Sequence, residues 1–245
     1  DHHETVLHMH QANMLENVQE SYQLYGERPI EHLYKIGALG ENVVLVHMIH
    51  VNSREINMLA ETKTNVVHCP STAIKLAYGL SAFGNFPEMA QAGVNVSIGT
   101  DASDCSNFND MVRLIYLTAA TPKDYRYDAA AGSAEKAIEM ATINGAKALN
   151  MENEIGSIEA GKKADIAIFD MHRPDWVPLY NEIQNFVYSA QGESCESVII
   201  DGEFIMKDRK VLSIDENEII DRIQFRAKKI AANLELPTYS PWKWL

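Results

Sequence analysis

The chain has 245 residues, 46% hydrophobic and 22% charged, enough apolar material for one large domain or a large domain and a small one. Its 21 Lys and Arg stand against 34 Asp and Glu, a formal net charge of −13 with no basic run. That balance argues against nucleic acid or an anionic membrane as a partner. No apolar run approaches the roughly 18 residues of a membrane-spanning helix.

The chain opens on Asp1 rather than Met, and a strand-like run, "TVLHMH", begins almost at once. This start reads as a piece of a longer protein whose N-terminal part is missing. Three further β-branched runs follow, "NVVLVHMIH", "TNVVHCP" and "VNVSIGTDAS". Each is short and nearly all apolar, as strands buried on both faces of a parallel sheet are. Helical patterns separate them. "SREINMLAET" sets Ile56, Leu59 and Ala60 on one face, and "FPEMAQAG" has Pro87 near its start and Gly93 as its stop. "NDMVRLIYLTAA" spaces Met111, Leu114 and Ile115 for a helix, with Asn109 as the expected cap. Repeated strand–helix units define an α/β architecture, barrel or doubly wound.

From about Ser133 the pattern changes. "SAEKAIEMATINGAKAL" reads as one helix capped by Ser133, with a break near Gly145. A strand is expected at 165–170, and "SVIIDGEFIM" reads as two strands joined at Asp201-Gly202. An amphipathic helix capped by Asp215 ends the chain. The division expected is 1–150 for the α/β part and 151–245 for a small β element with its terminal helix.

In both α/β architectures, chemistry sits at the C-terminal ends of strands. This sequence puts His10, His47, His68 and Asp101 there. Imidazole and carboxylate are the usual ligands of a zinc-class ion, which makes hydroxide available near neutral pH. The bland alternative makes each histidine a core or loop residue, but three such strand ends in succession favour a site. Cys69 has no orienting base in view and reads as a buried structural thiol, and the three scattered cysteines, Cys69, Cys105 and Cys195, suit a reducing, cytoplasmic compartment. His32 and His50 read as structural, and His2 and His3 as exposed at a ragged start. No Gly-rich phosphate loop supports a nucleotide cofactor.

The run from "YGERPIEHLYKIG" through "NVVLVHMIHVNSREINMLAETKTNVVHCPSTAIKLAYG", then "EMAQAGVNVSIGTDAS" and "GSIEAGKKADIAIFD", resembles the amidohydrolase superfamily. Within it the similarity is to the aminohydrolase and chlorohydrolase branch of S-adenosylhomocysteine and methylthioadenosine deaminases, guanine deaminases and triazine hydrolases. The resemblance implies a (β/α)8 TIM-like barrel carrying a β-sandwich. This chain would supply strands five to eight, the metal-dependent hydrolase part, and the C-terminal share of the sandwich. His10 would be the strand-five metal ligand and His47 the strand-six histidine, at a second ion or at the substrate. Asp101 would be the strand-eight ligand and proton carrier, with His68 and Asn13 facing substrate. His8 and His10 imitate the family's strand-one pair, but their distance to His47 and Asp101 suits strand five. The resemblance further implies one or more divalent metal ions, zinc first and iron as the alternative, a small-molecule substrate, a homo-oligomer, and need of the missing half to complete the barrel.

Family deaminases carry Glu three residues after the strand-five histidine, where this chain has Asn13. An amide orients but has no proton to shuttle near neutral pH. The expectation is therefore a metal-dependent hydrolase of non-peptide carbon–nitrogen bonds, of amide, urea or carbamate type. A deaminase or chlorohydrolase of an N-heterocycle is the first alternative, and an inactive binding or assembly paralogue the second.

Overall fold

A computed structural model of the chain describes residues 5–236; His2 and His3 lie outside them. Its first half alternates strands and helices: β1 (Leu7–Gln11), α1 (Leu15–Tyr25), α2 (Pro29–Lys35), β2 (Val43–His47), α3 (Ser53–Thr62), β3 (Asn65–His68), α4 (Pro70–Lys75), α5 (Leu80–Phe83), α6 (Phe86–Gln91) and β4 (Val96–Ile98). The helices α7 (Ser103–Ser106), α8 (Met111–Arg126), α9 (Ala134–Ala141) and α10 (Ile143–Ala148) follow. The second half adds β5 (Ile166–Phe169), α11 (Glu182–Tyr188), β6 (Cys195–Ile200), β7 (Glu203–Lys207), β8 (Lys210–Val211) and α12 (Glu216–Asn233).

The first sheet is parallel, in the order β1-β2-β3-β4. Its central strand β2 is buried along its whole length, which its run of Val and Leu requires. Strand alternation sorts the side chains. Leu45, Val66, Val96 and Ile98 pack with Leu114, Ile115, Ala137 and Met140 of the helix layer, and Met9 leans on the same core. The register His10↔Val46 and Val46↔Val67 puts His10 on the opposite face. Burying a side chain such as Leu45 or Leu114 contributes about 1.5–3 kcal/mol.

The helix signals resolve in detail. Ile56 and Leu59 are buried, as their spacing predicts, and Pro87 and Gly93 bound α6, the glycine at φ +91°. At α8 the cap is Asp110, not Asn109. Asp110 Oδ1 accepts from Val112 N at 2.9 Å, while the Asn109 amide donates to Ser103 Oγ at 3.0 Å. Ser133 caps α9 as expected. The helix expected to run on from it breaks at Thr142 rather than near Gly145, which sits inside α10. Thr142 Oγ1 donates to Ile138 O at 2.7 Å, so the hydroxyl rather than a glycine ends the helix.

The second sheet is antiparallel, β5-β6-β7-β8. Asp201 and Gly202, both at positive φ, make the tight hairpin their residue types predict. A second such turn at Asp208-Arg209 creates β8, which the sequence reading did not contain because Arg is no turn residue. Asp215 caps α12, and no residue of that helix is buried. Residues beyond 150 are not confined to this sheet: α11 packs on α8 and α9, and Val187 enters the main core.

One buried carboxylate joins several of these pieces. Glu55, fully buried, accepts from Arg28 Nε at 2.7 Å, from Asn52 N at 3.0 Å and from Ile30 N at 3.3 Å. Replacing it by Ala leaves the guanidinium and two amides without their acceptor. Glu55→Ala is expected to lower the unfolding free energy by about 3 kcal/mol, measured by urea denaturation; a loss below about 1 kcal/mol would show that the pair is not what holds α2 to α3.

Candidate metal centre

Three loop-entry residues bear on the site, and all three have a left-handed backbone. His47 sits at φ +76°, Asp101 at φ +60° and Ala12, just after β1, at φ +48°. Such values are uncommon outside glycine and cost of order 1 kcal/mol or more each. At His47 the reason is visible. The pairing Leu45↔Val66 and the strand's alternation would send His47 toward the helix layer, as Leu45 goes. The positive φ breaks the alternation, and the ring arrives at His10 on the opposite face, with His10 Nδ1 2.9 Å from His47 Nε2. Asp101 Oδ2 lies 3.9 Å from the same His47 nitrogen.

The structure therefore brings together three of the residues singled out in the sequence. Burial pushes the His47 pKa down to about 4, against the opposing pull of Asp101, and His10 adds to the fall. Its ring is neutral at pH 7, the form that offers a lone pair. The His47 Nδ1 atom is buried with no partner among the described residues. A tetrahedral zinc with bonds of about 2.0–2.1 Å spaces its ligand atoms about 3.3 Å apart. The observed spacings of 2.9 and 3.9 Å bracket that value, so the pairs that His47 makes with His10 and with Asp101 suit such an ion, while the three donors that all lie within 4.8 Å of one another are those of His47, Cys69 and Asp101.

Cys69 belongs to this neighbourhood and was missed as a neighbour. Its Sγ, a His47 ring nitrogen and an Asp101 carboxylate oxygen lie within 4.8 Å of one another. Burial, reinforced by the Asp101 carboxylate, pushes the thiol up to about 12, so it stands in the site as a protonated thiol. Cys69 and His68 are adjacent, and alternation gives them opposite faces. Alternation in the sequence says only that the two differ in face; the register of β3 with β2 and β4 decides which of them takes the site's side. His68 is correspondingly apart: its ring packs on Phe86 with centroids 3.8 Å apart, on the helix side of β3. Tyr78, also unremarked in the sequence, sets its edge against His47 at 5.6 Å.

Asn13 follows β1 and is half-buried. It is not the cap of α1: that helix starts from Met14, whose N–H is taken by Asn17 Oδ1 at 3.1 Å. His8 is exposed on the same edge strand. His50 Nε2 donates to Tyr78 O, 2.9 Å away, and His32 stacks on Tyr25 at 3.9 Å.

A parallel βα sheet with its imidazoles and carboxylate gathered at the strand ends is the arrangement of the TIM-barrel hydrolase class. The amidohydrolase family matches residues 1–205, and the chain belongs to that family. It is 38% identical over 226 residues to a 5-methylthioadenosine/S-adenosylhomocysteine deaminase of Thermoanaerobacter pseudethanolicus, covering 92% of this chain and 52% of that protein. The Moorella thermoacetica protein of the same description is 39% identical over 223 residues, at 91% and 51%. An adenosine deaminase structure from Xanthomonas campestris, with bound zinc, superposes with a TM-score of 0.89 at 30% identity, covering 93% of this chain and 51% of that one. An atrazine chlorohydrolase of Arthrobacter aurescens shares the fold at a TM-score of 0.83 and 22% identity, over 90% and 48%. The chain thus spans about half the length of the curated relatives it matches.

The raised Cys69 thiol gives a direct test. At pH 8 its thiolate fraction is on the order of one in ten thousand. Iodoacetamide under native conditions is expected to leave Cys69 unmodified by peptide mass spectrometry, and to label it after unfolding. Native labelling of Cys69 as fast as that of Cys195, half-buried at the start of β6, would contradict the burial and charge argument.

Proposed function

We propose that the complete protein is a metal-dependent hydrolase of non-peptide carbon–nitrogen bonds. The observation that carries this reading is the convergence of His10, His47 and Asp101 at the C-terminal ends of parallel strands. His10, His47 and Asp101 would hold a divalent ion, zinc first and iron as the alternative, and zinc in the adenosine deaminase structure supports that choice. When bound, the ion supplies a water acidic enough to act as hydroxide near neutral pH. Asp101 takes the proton of the attacking water at Oδ2 and hands it to the departing nitrogen. His47, neutral and buried, keeps its lone pair for the ion or a hydrogen bond to substrate. Asn13 is read as a substrate-facing amide that orients and does not transfer protons. A substrate contact for His68 would need a molecule reaching the helix side of β3, and it is not part of this mechanism.

Asn13 in place of a carboxylate favours an amide, urea or carbamate, whose leaving nitrogen Asp101 alone can protonate. The deaminase names of relatives 38 and 39% identical favour a second reading, loss of ammonia from an N-heterocycle such as an adenosine derivative. In either case β1 to β4 would be strands five to eight of a (β/α)8 barrel, residues 1–150 forming that barrel portion and 151–245 the sandwich share and terminal helix. The coverage of about half of each relative and the exposed edge strand β1 support a barrel completed by a further segment. A homo-oligomer in a cytoplasmic setting, with a small-molecule substrate and neither nucleic acid nor membrane as partner, completes the proposal.

Zinc content and turnover of the complete protein test it. His10→Ala is expected to remove most of the bound zinc by elemental analysis and to lower kcat/KM at least about 100-fold, roughly 2.7 kcal/mol at the barrier. Full zinc and unchanged turnover would end the reading. A separate comparison divides the two substrate classes. Asn13→Glu is expected to slow amide or urea hydrolysis by about tenfold while allowing ammonia release from adenosine derivatives; a parent protein that already deaminates those compounds and leaves ureas intact makes the second reading the correct one.

A further inference from the structure

Between α4, the turn that joins α7 to α8, and the end of α11 lies an open cavity of about 710 Å³. That volume is within the range of small-molecule sites. None of His10, His47, Cys69 and Asp101 lines it, so the site does not rest on the proposed hydrolytic activity. Its lining runs against the composition of the chain. Asp and Glu outnumber Lys and Arg by 34 to 21 overall, yet no acidic residue borders this cavity, and two cations, Lys75 and Arg113, do. Both are exposed, so a molecule entering from solvent can reach them. Three aromatic residues, Phe108, Tyr116 and Tyr188, stand in the same wall.

The two cations are held without being neutralised. Neither forms an ion pair among the described residues. Lys75 Nζ donates to Asp104 O at 2.9 Å, which engages one of its three donors. The Arg113 guanidinium carbon stands 4.2 Å from the centroid of the Phe108 ring, a contact that orients the guanidinium and consumes none of its N–H donors. Phe108 is itself fixed, since it packs on the main core and its carbonyl accepts from Ser106 Oγ at 2.9 Å. Asp110, the nearest carboxylate along the chain, is turned to the α8 amides, accepting from Val112 N and Arg113 N. Arg113, Tyr116 and Leu117 follow one another at i, i+3 and i+4, so one face of α8 meets the cavity.

A guanidinium and an ammonium beside aromatic walls narrow the ligand. Arginine pairs with a carboxylate through two parallel hydrogen bonds, and lysine adds a point charge. The rings suit a flat apolar body, which a bare inorganic anion lacks. We propose that this cavity is a ligand site for a small aromatic carboxylate, with its carboxylate on Arg113 and Lys75 and its ring among Phe108, Tyr116 and Tyr188.

Saturation-transfer NMR on the complete protein tests this with benzoate and its neutral shape analogue benzamide as probes, and inorganic phosphate as competitor. At low salt benzoate is expected to bind at least about tenfold more tightly than benzamide, roughly 1.4 kcal/mol, and to lose affinity as salt rises. Phosphate at equal concentration is expected to leave the benzoate signal in place. Arg113→Gln is expected to bring benzoate down to the affinity of benzamide with the circular dichroism unchanged. Lys75→Gln is expected to weaken benzoate at least about threefold and benzamide not at all. Tyr116→Ala is expected to weaken both probes alike, because it removes wall and not charge. Absence of a benzoate signal up to its solubility, or equal affinity for the two probes, would overturn the proposal. So would benzoate binding that either Arg113→Gln or Lys75→Gln leaves unchanged, because benzoate would then sit elsewhere, on a bound metal ion for instance. Displacement of benzoate by an equal concentration of phosphate would overturn the ligand class, since the cavity would then select charge alone.

Discussion

The Glu55 carboxylate is the interaction on which the site's approach depends. It lies with no exposed surface at the start of α3, yet its donors come from three places: the Arg28 side chain, the Ile30 amide of α2 and the Asn52 amide before α3. Arg28 carries the linkage one step further by donating to His50 O at 2.6 Å. The chain leaving β2 therefore runs from His47 into a loop held from below at residue 50 and capped at residue 52, where Asn52 Oδ1 accepts from Glu55 N. A buried ion pair of this kind is weak evidence of net stability, since an apolar replacement of both partners can do as well. What it supplies is position: a guanidinium shared between Glu55 and His50 O, together with two amides, leaves the loop a narrow choice of paths.

That restriction matters because the loop begins in an uncomfortable conformation. His47 and Met48 both have positive φ, and Ala12 beside them does too. The neighbouring backbone compensates in hydrogen bonds. Gln11 O accepts from Met48 N, and Ala12 O accepts from both Ile49 N and His50 N, at 2.9 to 3.1 Å. The β1 exit and the β2 exit are thus tied to one another, and His10 and His47 face each other as a consequence. At the other edge Gly99 has a comparable duty, because a Cβ there would stand 2.8 Å from Val67 Cγ1 and 3.4 Å from Cys69 Sγ. Strain at the strand ends and close packing behind them are two sides of one arrangement, rigid strands presenting re-aimed side chains.

The lower end of the sheet is fastened differently. Asn95 donates to Asn65 Oδ1 and Asn144 O, and Asn144 donates in return to Val96 O. These amides tie α10 to β4 and β3 at the end remote from the histidines. The division agrees with the logic of parallel βα folds, in which one end of the strands serves stability and the other chemistry.

The sequence by itself determined the four parallel strands, the main helices with the Ser133 and Asp215 caps, the Asp201-Gly202 hairpin, and His10, His47 and Asp101 as a group. All of these follow from patterns a few residues long, where apolar period, capping groups and turn residues act locally. The tertiary structure decided the rest. It chose Asp110 over Asn109, because the Asn109 amide was drawn to Ser103, and it ended α9 at Thr142, where a hydroxyl took over a carbonyl. It set Cys69 rather than His68 beside Asp101, through an alternation of faces that becomes definite only when neighbouring strands fix the register. It turned His47 against that same alternation by a positive φ. Side-chain direction at a strand end depends on partners far away in the chain, and local periodicity carries no information about them.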